Sequence, residues 1–551
     1  MVAVVAMAIV VGLGCPGPRG PGRAGRPKLV VLIVVDQLPS WTFERRRPLL
    51  RHGFARLLRE GVYWPHAKYP YAYTYTAPGH AAISTGAPPR VSGVVSNSWF
   101  RRAEGKIRPA EYDPDATILY QPGAVPEHTY GPDDGSSGKA LKAPGIADAL
   151  RAASPASRSV AIALKARAAC FVAGKQPDLV LWFEEPIGSF TTSRAYQTSV
   201  PTWVTDHARA RPWTRFLDAV WSASDPALLA RETGIPDDAP GEGTQHGLST
   251  AFPHDLGKAQ DPRAMLLTPF GDELATDIAI EALDGEHLGE DGSPDLLAIS
   301  YSSHDFAAHN WGQGSWEQLD LLLRLDLQIE RLLAALDKKL GSDGYAVVLT
   351  SDHGATPMIE RSPHRGARRI PPQELEDVAE AAIANVLGPG DWILLTSSQT
   401  QYFSPAFEAV ADPELRDLAA KAAVDAIRVM PGIKDAGRLA PLEHACPAGE
   451  AMAPICASYV PGESGDIYLV PVEGSLISEY GSGTHHDAPS ADNHLVPLIV
   501  RMPGVPPRVV YQNVSSLQIA ATVTEMLGVP APAQAQAPPL VLSIAPAKNR
   551  E

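Results

Sequence analysis

Cysteine is scarce in this chain. It occurs four times in 551 residues, as Cys15, Cys170, Cys446 and Cys456, and no C-x-x-C pair exists. That excludes a thiolate metal site. Cys446 and Cys456 stand ten apart, a spacing that admits a small disulfide loop in an oxidising compartment and equally admits two free thiols. Positive charge is also short: 47 Lys and Arg stand against 62 Asp and Glu, a formal charge of -15. No basic stripe interrupts that balance, which excludes nucleic acid as a structural partner. Internal repeats are absent. Beyond the N-terminus no apolar run reaches the length of a membrane span.

The N-terminal run MVAVVAMAIVVGLG is itself too short to span a bilayer permanently. It suits the apolar region of an export signal, although a basic segment before it is missing. Cys15 after GLG loosely resembles a bacterial lipoprotein signal, so the expectation is an exported protein, with a lipid anchor at Cys15 as the finer reading. The alternative is a ragged start ahead of the first strand.

What remains has ordinary globular composition, 45% hydrophobic and 20% charged. PKLVVLIVVDQ, SVAIALKAR, PDLVLWF, PDLLAISYSSHD, GYAVVLTSDHG and HLVPLIVRMPG are continuous apolar runs, the pattern of strands covered on both faces. Helical periodicity lies between them, at 54–61, 145–153, 271–285, over SWEQLDLLLRLDLQIERLLAALDKKL, and in SSLQIAATVTEMLGV. This alternation predicts an α/β fold with a central, largely parallel sheet flanked by helices. Five segments follow: 1–27, an export signal and Pro/Gly-rich stretch; 28–359, the first part of the core; 360–475, an inserted, smaller α+β cap subdomain; 476–530, the completing part of the core; and 531–551, a flexible tail. Between 186 and 268 the pattern weakens to connections draped over the core.

Three strands end in hard polar residues: Asp36, the cluster SSHDFAAHN at 302–310, and Asp352–His353. Carboxyl ends of strands line the functional crevice of open α/β sheets. Asp305 and His309 are four apart, on one face of a helical turn. Each pair alone is as easily a surface Asp–His pair. Together with GTHHDAP at 483–489 they describe a mixed carboxylate and imidazole site for zinc or another first-row metal. YTYTAPGHAAISTG then supplies a candidate nucleophile, Thr76, at a helix start, where a neighbouring metal would activate the hydroxyl. The competing reading makes Thr76 only a helix cap.

The set VVDQ, YTAPGHAAISTG, VVSNSW, LKAR, SSHDFAAH, TSDHG and GTHHDAP resembles the alkaline phosphatase superfamily, in particular the periplasmic, Flavobacterium-type enzymes that use threonine. The nucleotide pyrophosphatase/phosphodiesterase group is the next neighbour. The match runs from about 28 to 530. The resemblance implies an alkaline phosphatase-like core, a periplasmic location, small-molecule phosphate esters as substrates and two Zn2+ ions. It implies Thr76 as nucleophile, with Thr74 as the alternative. It implies Asp305, His309 and His486 on one zinc, with His485 a rival for the last place, and Asp36, Asp352 and His353 on the other. Asn97, Lys165 and Arg167 would contact the phosphoryl group, and His80 would pack beside the site. The Lys-x-Arg pair favours monoesters, whose transition state carries more charge on non-bridging oxygens. A diesterase, and an inactive binding protein of the same fold, are the alternatives. No Cys/Ser-x-Pro-x-Arg motif supports a sulfatase.

Overall fold

The computed structural model describes residues 26–542, apart from 121–127, 260, 363, 365, 398, 447, 448, 450 and 487. The export signal and Cys15 therefore lie outside the described residues.

Seven strands carry the central sheet: β1 Leu29–Val35, β2 Val62–Lys68, β3 Ser159–Ala163, β4 Leu179–Glu184, β5 Asp295–Tyr301, β6 Tyr345–Thr350 and β7 Leu495–Arg501. Their order across the sheet is β2-β7-β6-β1-β5-β3-β4. The pairs from β6 through β4 are parallel, whereas β7 runs antiparallel to both β6 and β2. The sheet is therefore mixed, with a parallel centre. Short strands extend it at each edge, Arg508–Val509 and Val514–Ser515 on β2 and Ser189–Thr191 on β4.

Strand β1 shows why its run is apolar throughout. Leu29, Val31, Ile33 and Val35 enter one hydrophobic core, and Val30, Leu32 and Val34 enter another on the opposite face. Successive side chains of a strand point to opposite faces, so a sheet covered on both sides leaves no polar position. The helix Trp316–Leu340 covers the first face, with Leu321, Leu325, Ile329, Leu332 and Leu336 turned inward at helical spacing. It begins at Ser315, whose hydroxyl accepts the Gln318 N–H at 3.2 Å, and stops at Gly341.

Between 372 and 471 the chain builds a second, four-stranded sheet in the order Ile393–Ser397, Thr400–Phe403, Ile467–Pro471, Ile433–Arg438. Helices Pro372–Leu387 and Pro413–Arg428 pack on it around their own core of Leu375, Ile383, Phe403, Ile427 and Leu469. The two chain passages that join this unit to the main sheet pair in parallel, Arg369–Ile370 with Leu476–Ile477. Cys446 and Cys456 are disulfide-bonded. Cys456 lies in the helix Met452–Ser458, where Ser458 Oγ accepts the N–H groups of Ala72 at 2.8 Å and Tyr73 at 3.2 Å. The bridge thus ties down the helix that braces the segment leading to Thr76.

Two expectations need correction. The stretch 186–268 contains helices Thr202–Ala210 and Pro226–Thr233 and a strand pair, Val220–Trp221 with His254–Asp255. Trp221, Phe252 and His254 pack with Trp311, so this region is held by aromatic contacts that leave no periodic signature. The tail is not flexible over 531–542: Gln536 donates its N–H to the Gly86 carbonyl at 2.9 Å, and Leu540 is buried with its N–H on Thr522 Oγ1 at 2.9 Å. Residues 543–551 lie outside the described residues.

The double-sided burial of β1 makes it the most sensitive element. Ile33→Ala is expected to cost about 2–5 kcal/mol, read as a lowered thermal unfolding midpoint. A shift no larger than that of an exposed-site control would contradict the packing described.

Candidate active site

Strand register delivers the chemistry to one edge. Ala163, Ser300, Val34 and Thr350 stand abreast across β3, β5, β1 and β6. One to a few residues further, past the last backbone pairing, come Lys165, Asp305, Asp36 and Asp352 with His353. Strand β7 runs the other way, so the loop that enters it, carrying His485 and His486, reaches the same edge. Strand β2 ends there too and leads to α1, Thr76–Thr85.

Asp36, Asp352 and His353 place ligand atoms within 4.8 Å of one another, and so do Asp305, His353 and His486. His309, one helical turn from Asp305, holds Nε2 at 3.3 Å from Asp305 Oδ1, and His486 Nε2 lies 3.7 Å from the same oxygen. His353 Nε2 faces Asp36 Oδ1 and Asp352 Oδ2, each at 3.4 Å. The Nδ1 atoms of His309, His353 and His486 sit against the carbonyls of Thr484, Gly354 and Thr74 at 2.8, 2.9 and 2.7 Å. A backbone carbonyl accepts only, so each ring carries a proton on Nδ1; in the metal-binding form Nε2 turns a lone pair toward the carboxylates, whereas in the bare site Asp305 outweighs burial and raises the His309 pKa, favouring a second proton on its Nε2. Among the described residues, Asp36 Oδ1, Asp352 Oδ2 and His353 Nε2 are buried and make no hydrogen bond. Buried acceptors facing one another without donors cost free energy unless a cation satisfies them. The donor set fits two divalent ions side by side.

The charges agree with that reading. Burial, then the neighbouring Asp305 and Asp352, raise Asp36 well above the ordinary carboxylate range. Burial works in the same sense on Asp305, but His309 and Lys165 outweigh it and hold that group low. Burial and then His353 push His486 far down, so its imidazole is neutral. His485 is pushed down to about 3 by burial and by His309. Its Nε2 bonds Ser478 Oγ at 3.0 Å, away from the carboxylates. The second histidine of the pair, not the first, joins the cluster.

Lys165 is placed differently from a free phosphoryl contact. Its Nζ bonds Asp36 Oδ2 at 2.6 Å and pairs as well with Asp305 Oδ2, bridging the two ligand groups. Arg167 lies two residues on in the helix Ala166–Val172, half-buried, with its Nε unpartnered.

The two threonines have different surroundings. Thr74 Oγ1 donates to the His486 carbonyl at 2.6 Å, so its hydroxyl is used in holding that histidine. Thr76 Oγ1 is buried and makes no hydrogen bond among the described residues. Thr76 is the first residue of α1 and does not cap it; the N-cap is Tyr75, which makes no side-chain cap bond. Asn97 Oδ1 instead accepts the Ala77 N–H at 2.8 Å. Pro78 falls in the first turn, where a missing N–H loses nothing. Gly79 lets that turn touch the neighbouring strand end, since a Cβ there would stand 2.4 Å from the Asp352 carbonyl. His80 stays outside the ligand groups: its Nδ1 lies 2.8 Å from the Thr76 carbonyl and 3.2 Å from Asp352 Oδ2, and its Nε2 bonds Ser300 Oγ at 2.8 Å.

Sequence reasoning missed Gln37. Its N–H donates to Asp352 Oδ1 at 3.1 Å and its side-chain amide to Asp305 Oδ1 at 2.6 Å, so one residue spans both ligand groups. Gln313 Nε2 holds it in turn, at 2.8 Å from its backbone carbonyl and 3.0 Å from Oε1. The backbone of Gln37 is left-handed, φ 61°, a conformation that a non-glycine residue adopts at a cost. Nothing in VVDQ marks this residue beyond its place after Asp36. Gln37→Ala is expected to weaken divalent-metal binding about 10–100-fold in a competition titration, with the circular dichroism spectrum unchanged. Unaltered affinity would remove Gln37 from the site.

Comparison with known proteins gives the same answer as the geometry. The type I phosphodiesterase / nucleotide pyrophosphatase family model matches residues 30–487. The chain is 28% identical to alkaline phosphatase PafA of Elizabethkingia meningoseptica over 550 residues, covering 97% of each. It is 28% identical to alkaline phosphatase PhoV of Synechococcus elongatus over 522 residues, covering 93% of this chain and 92% of the relative. A crystal structure of wild-type PafA superposes with a TM-score of 0.86 at 26% identity, covering 95% of this chain and 99% of that one. A PafA variant substituted at a threonine, an asparagine, a lysine and an arginine superposes with a TM-score of 0.85 at 25% identity and the same coverage. The chain belongs to the type I phosphodiesterase / nucleotide pyrophosphatase family and is similar, along nearly its whole length, to the PafA-type bacterial alkaline phosphatases of the alkaline phosphatase superfamily.

Proposed function

We propose that this chain hydrolyses phosphate monoesters in two in-line displacements, through a phosphoryl group carried covalently on Thr76. It is a metal-dependent phosphomonoesterase of the PafA kind. The observation that carries the assignment to Thr76 is the contrast between the two threonines. The Thr74 hydroxyl is spent on the His486 carbonyl, while Thr76 Oγ1 is buried at the start of α1 without a partner. The four positions substituted in the PafA variant support the same set. Its threonine and asparagine are 21 apart and its lysine and arginine two apart, the spacings of Thr76 to Asn97 and Lys165 to Arg167.

Asp36, Asp352 and His353 would hold one zinc, and Asp305, His309 and His486 the other; bound there, the pair would lower the pKa of a neighbouring hydroxyl and neutralise charge on a leaving oxygen. Thr76 Oγ1 attacks phosphorus and the alcohol departs on the opposite side; water then displaces Thr76 in the same manner. Asn97 has its Oδ1 committed to Ala77, which leaves the –NH2 to donate to a non-bridging phosphoryl oxygen. The cations of Lys165 and Arg167 meet the charge that builds on those oxygens. Asn97 is set before the substrate arrives, whereas Lys165 has to move from the Asp36 and Asp305 carboxylates to reach the phosphoryl group. Export to the periplasm fits the Cys446–Cys456 disulfide, which belongs to an oxidising compartment. Attachment through Cys15 is the finer form of that proposal.

Thr76→Ala is expected to lower monoester kcat by about a thousandfold or more while the fold is kept. Thr74→Ala, which only loosens His486, retains measurable turnover at saturating zinc. The reverse ranking would move the nucleophile to Thr74. Chelation followed by dialysis abolishes turnover, and zinc restores it; recovery with magnesium alone would contradict the ligand assignment. Arg167→Ala is a cleaner probe of substrate class than Lys165→Ala, because Lys165 also touches both ligand groups. It is expected to lower kcat/KM about 100-fold for a monoester and much less for a diester with the same leaving group. Equal losses would favour the diesterase reading.

A further inference from the structure

A cavity of about 290 Å³ lies against His309, lined by Gln245, His246, Leu267, Phe306, Tyr480 and His485. This is near the lower end of small-molecule pocket sizes. Its position relative to the chemistry follows from two contacts. Phe306 forms part of its wall and places its ring 4.6 Å from Lys165 Nζ, so the cavity begins where the phosphoryl contacts end. His309 forms another part, and its Nε2 turns toward Asp305. In an in-line displacement the leaving oxygen lies opposite the nucleophile. Thr76 is buried, so the remainder of a substrate extends away from it, past the Asp305–His309–His486 group and into this space.

The lining is specific in character. It offers the flat faces of Phe306 and Tyr480, the three imidazoles of His246, His309 and His485, the aliphatic Leu267, and the amide of Gln245. Among the described residues the wall holds no carboxylate, lysine or arginine, and His246 pairs with Asp261 at 2.8 Å. Tyr480 is 60% exposed, and its ring is nearly parallel to that of His485, 20° apart with centroids at 6.0 Å. His309 and His485 stand 5.0 Å apart and tilted by 56°, which gives the cavity a ring wall on its inner side. Gln245 is fixed to the helix that bears His309, its N–H on Asn310 Oδ1 at 3.0 Å and its Nε2 on the His309 carbonyl at 3.3 Å. Aromatic walls with one amide at the edge suit an uncharged planar ring by stacking.

We propose that this cavity is the leaving-group subsite, and that it selects monoesters whose departing alcohol carries a planar ring, an aryl alcohol or a nucleoside. The proposal rests on the phosphomonoesterase reading above. Tyr480 is its main specificity-determining residue, because it is the wall's most exposed ring and makes the smallest contribution to the core.

Two matched pairs of substrates test it on the zinc-loaded enzyme. Uridine 5′-phosphate against ribose 5-phosphate adds a base to the same primary alcohol. 2-Phenylethyl phosphate against propyl phosphate adds an aryl ring at closely similar alcohol acidity. At least one ring-bearing member is expected to be favoured in kcat/KM by about fivefold or more. Tyr480→Ala should bring that ratio toward one, while Tyr480→Phe keeps it. The pair that responds identifies a nucleoside or an aryl alcohol as the ring's source. Ratios near one in both pairs, or a preference that survives Tyr480→Ala, would overturn the proposal. Calorimetric binding of the same four esters to zinc-loaded Thr76→Ala gives the ratio without turnover. Failure of the phosphatase reading would show separately, as a lack of turnover on all four esters.

Discussion

Asp36, Asp305 and Asp352 are buried together at one edge of the sheet, and everything around them answers the repulsion among three carboxylates. Water would screen such a group; the core cannot. Lys165 bridges two of them, Gln37 donates to two, and three imidazoles turn lone pairs inward from rings whose protons are committed to backbone carbonyls. Of these imidazoles, only His309, whose pKa Asp305 raises, offsets carboxylate charge while the site is bare. The three complete donor groups that a pair of divalent cations neutralises. The same arrangement that is costly for the bare chain is therefore the one that binds metal tightly, and the parallel register of β3, β5, β1 and β6 holds it in place.

Around that centre each neighbour has one task. Thr74 and Thr76 are two residues apart and chemically alike, yet one hydroxyl fastens His486 and the other is left free. Asn97 makes this division workable by accepting the Ala77 N–H, which removes the first turn's demand on the Thr76 side chain. Gly79 brings that turn against Asp352, and the helix Met452–Ser458 steadies the approach to it through Ser458. The second sheet thus contributes to the site through the segment that delivers Thr76.

Much of this was legible in the sequence because it is written locally. An unbroken apolar run such as LVVLIVV reads as a strand covered on both faces, and a polar residue at its end, as with Asp36 or Asp352, reads as lying at the crevice. Asp305 and His309 were legible by their spacing on one helical turn. The partners of these groups were not, since nothing local says that Thr74 meets His486, 412 positions away. The role of Gln37 depends on a left-handed backbone and two distant carboxylates, neither of which composition reveals. The docking of 531–542 was missed for a related reason. A Pro/Ala/Gln stretch looks unstructured by itself, and Leu540 is buried only because the Gly86 turn and Thr522 are there to receive it. Lys165 was legible as a cation near the phosphoryl group, but its bridging of Asp36 and Asp305 follows from geometry alone.

The central claim is that phosphorus passes through a protein-bound ester rather than directly to water. The stereochemical course decides this most directly, whether or not the intermediate accumulates. With an isotopically chiral phosphate monoester and an alcohol acceptor in place of water, two in-line displacements predict retention of configuration at phosphorus in the transferred product. Inversion would mean a single direct displacement, and would contradict the role of Thr76 as the nucleophile.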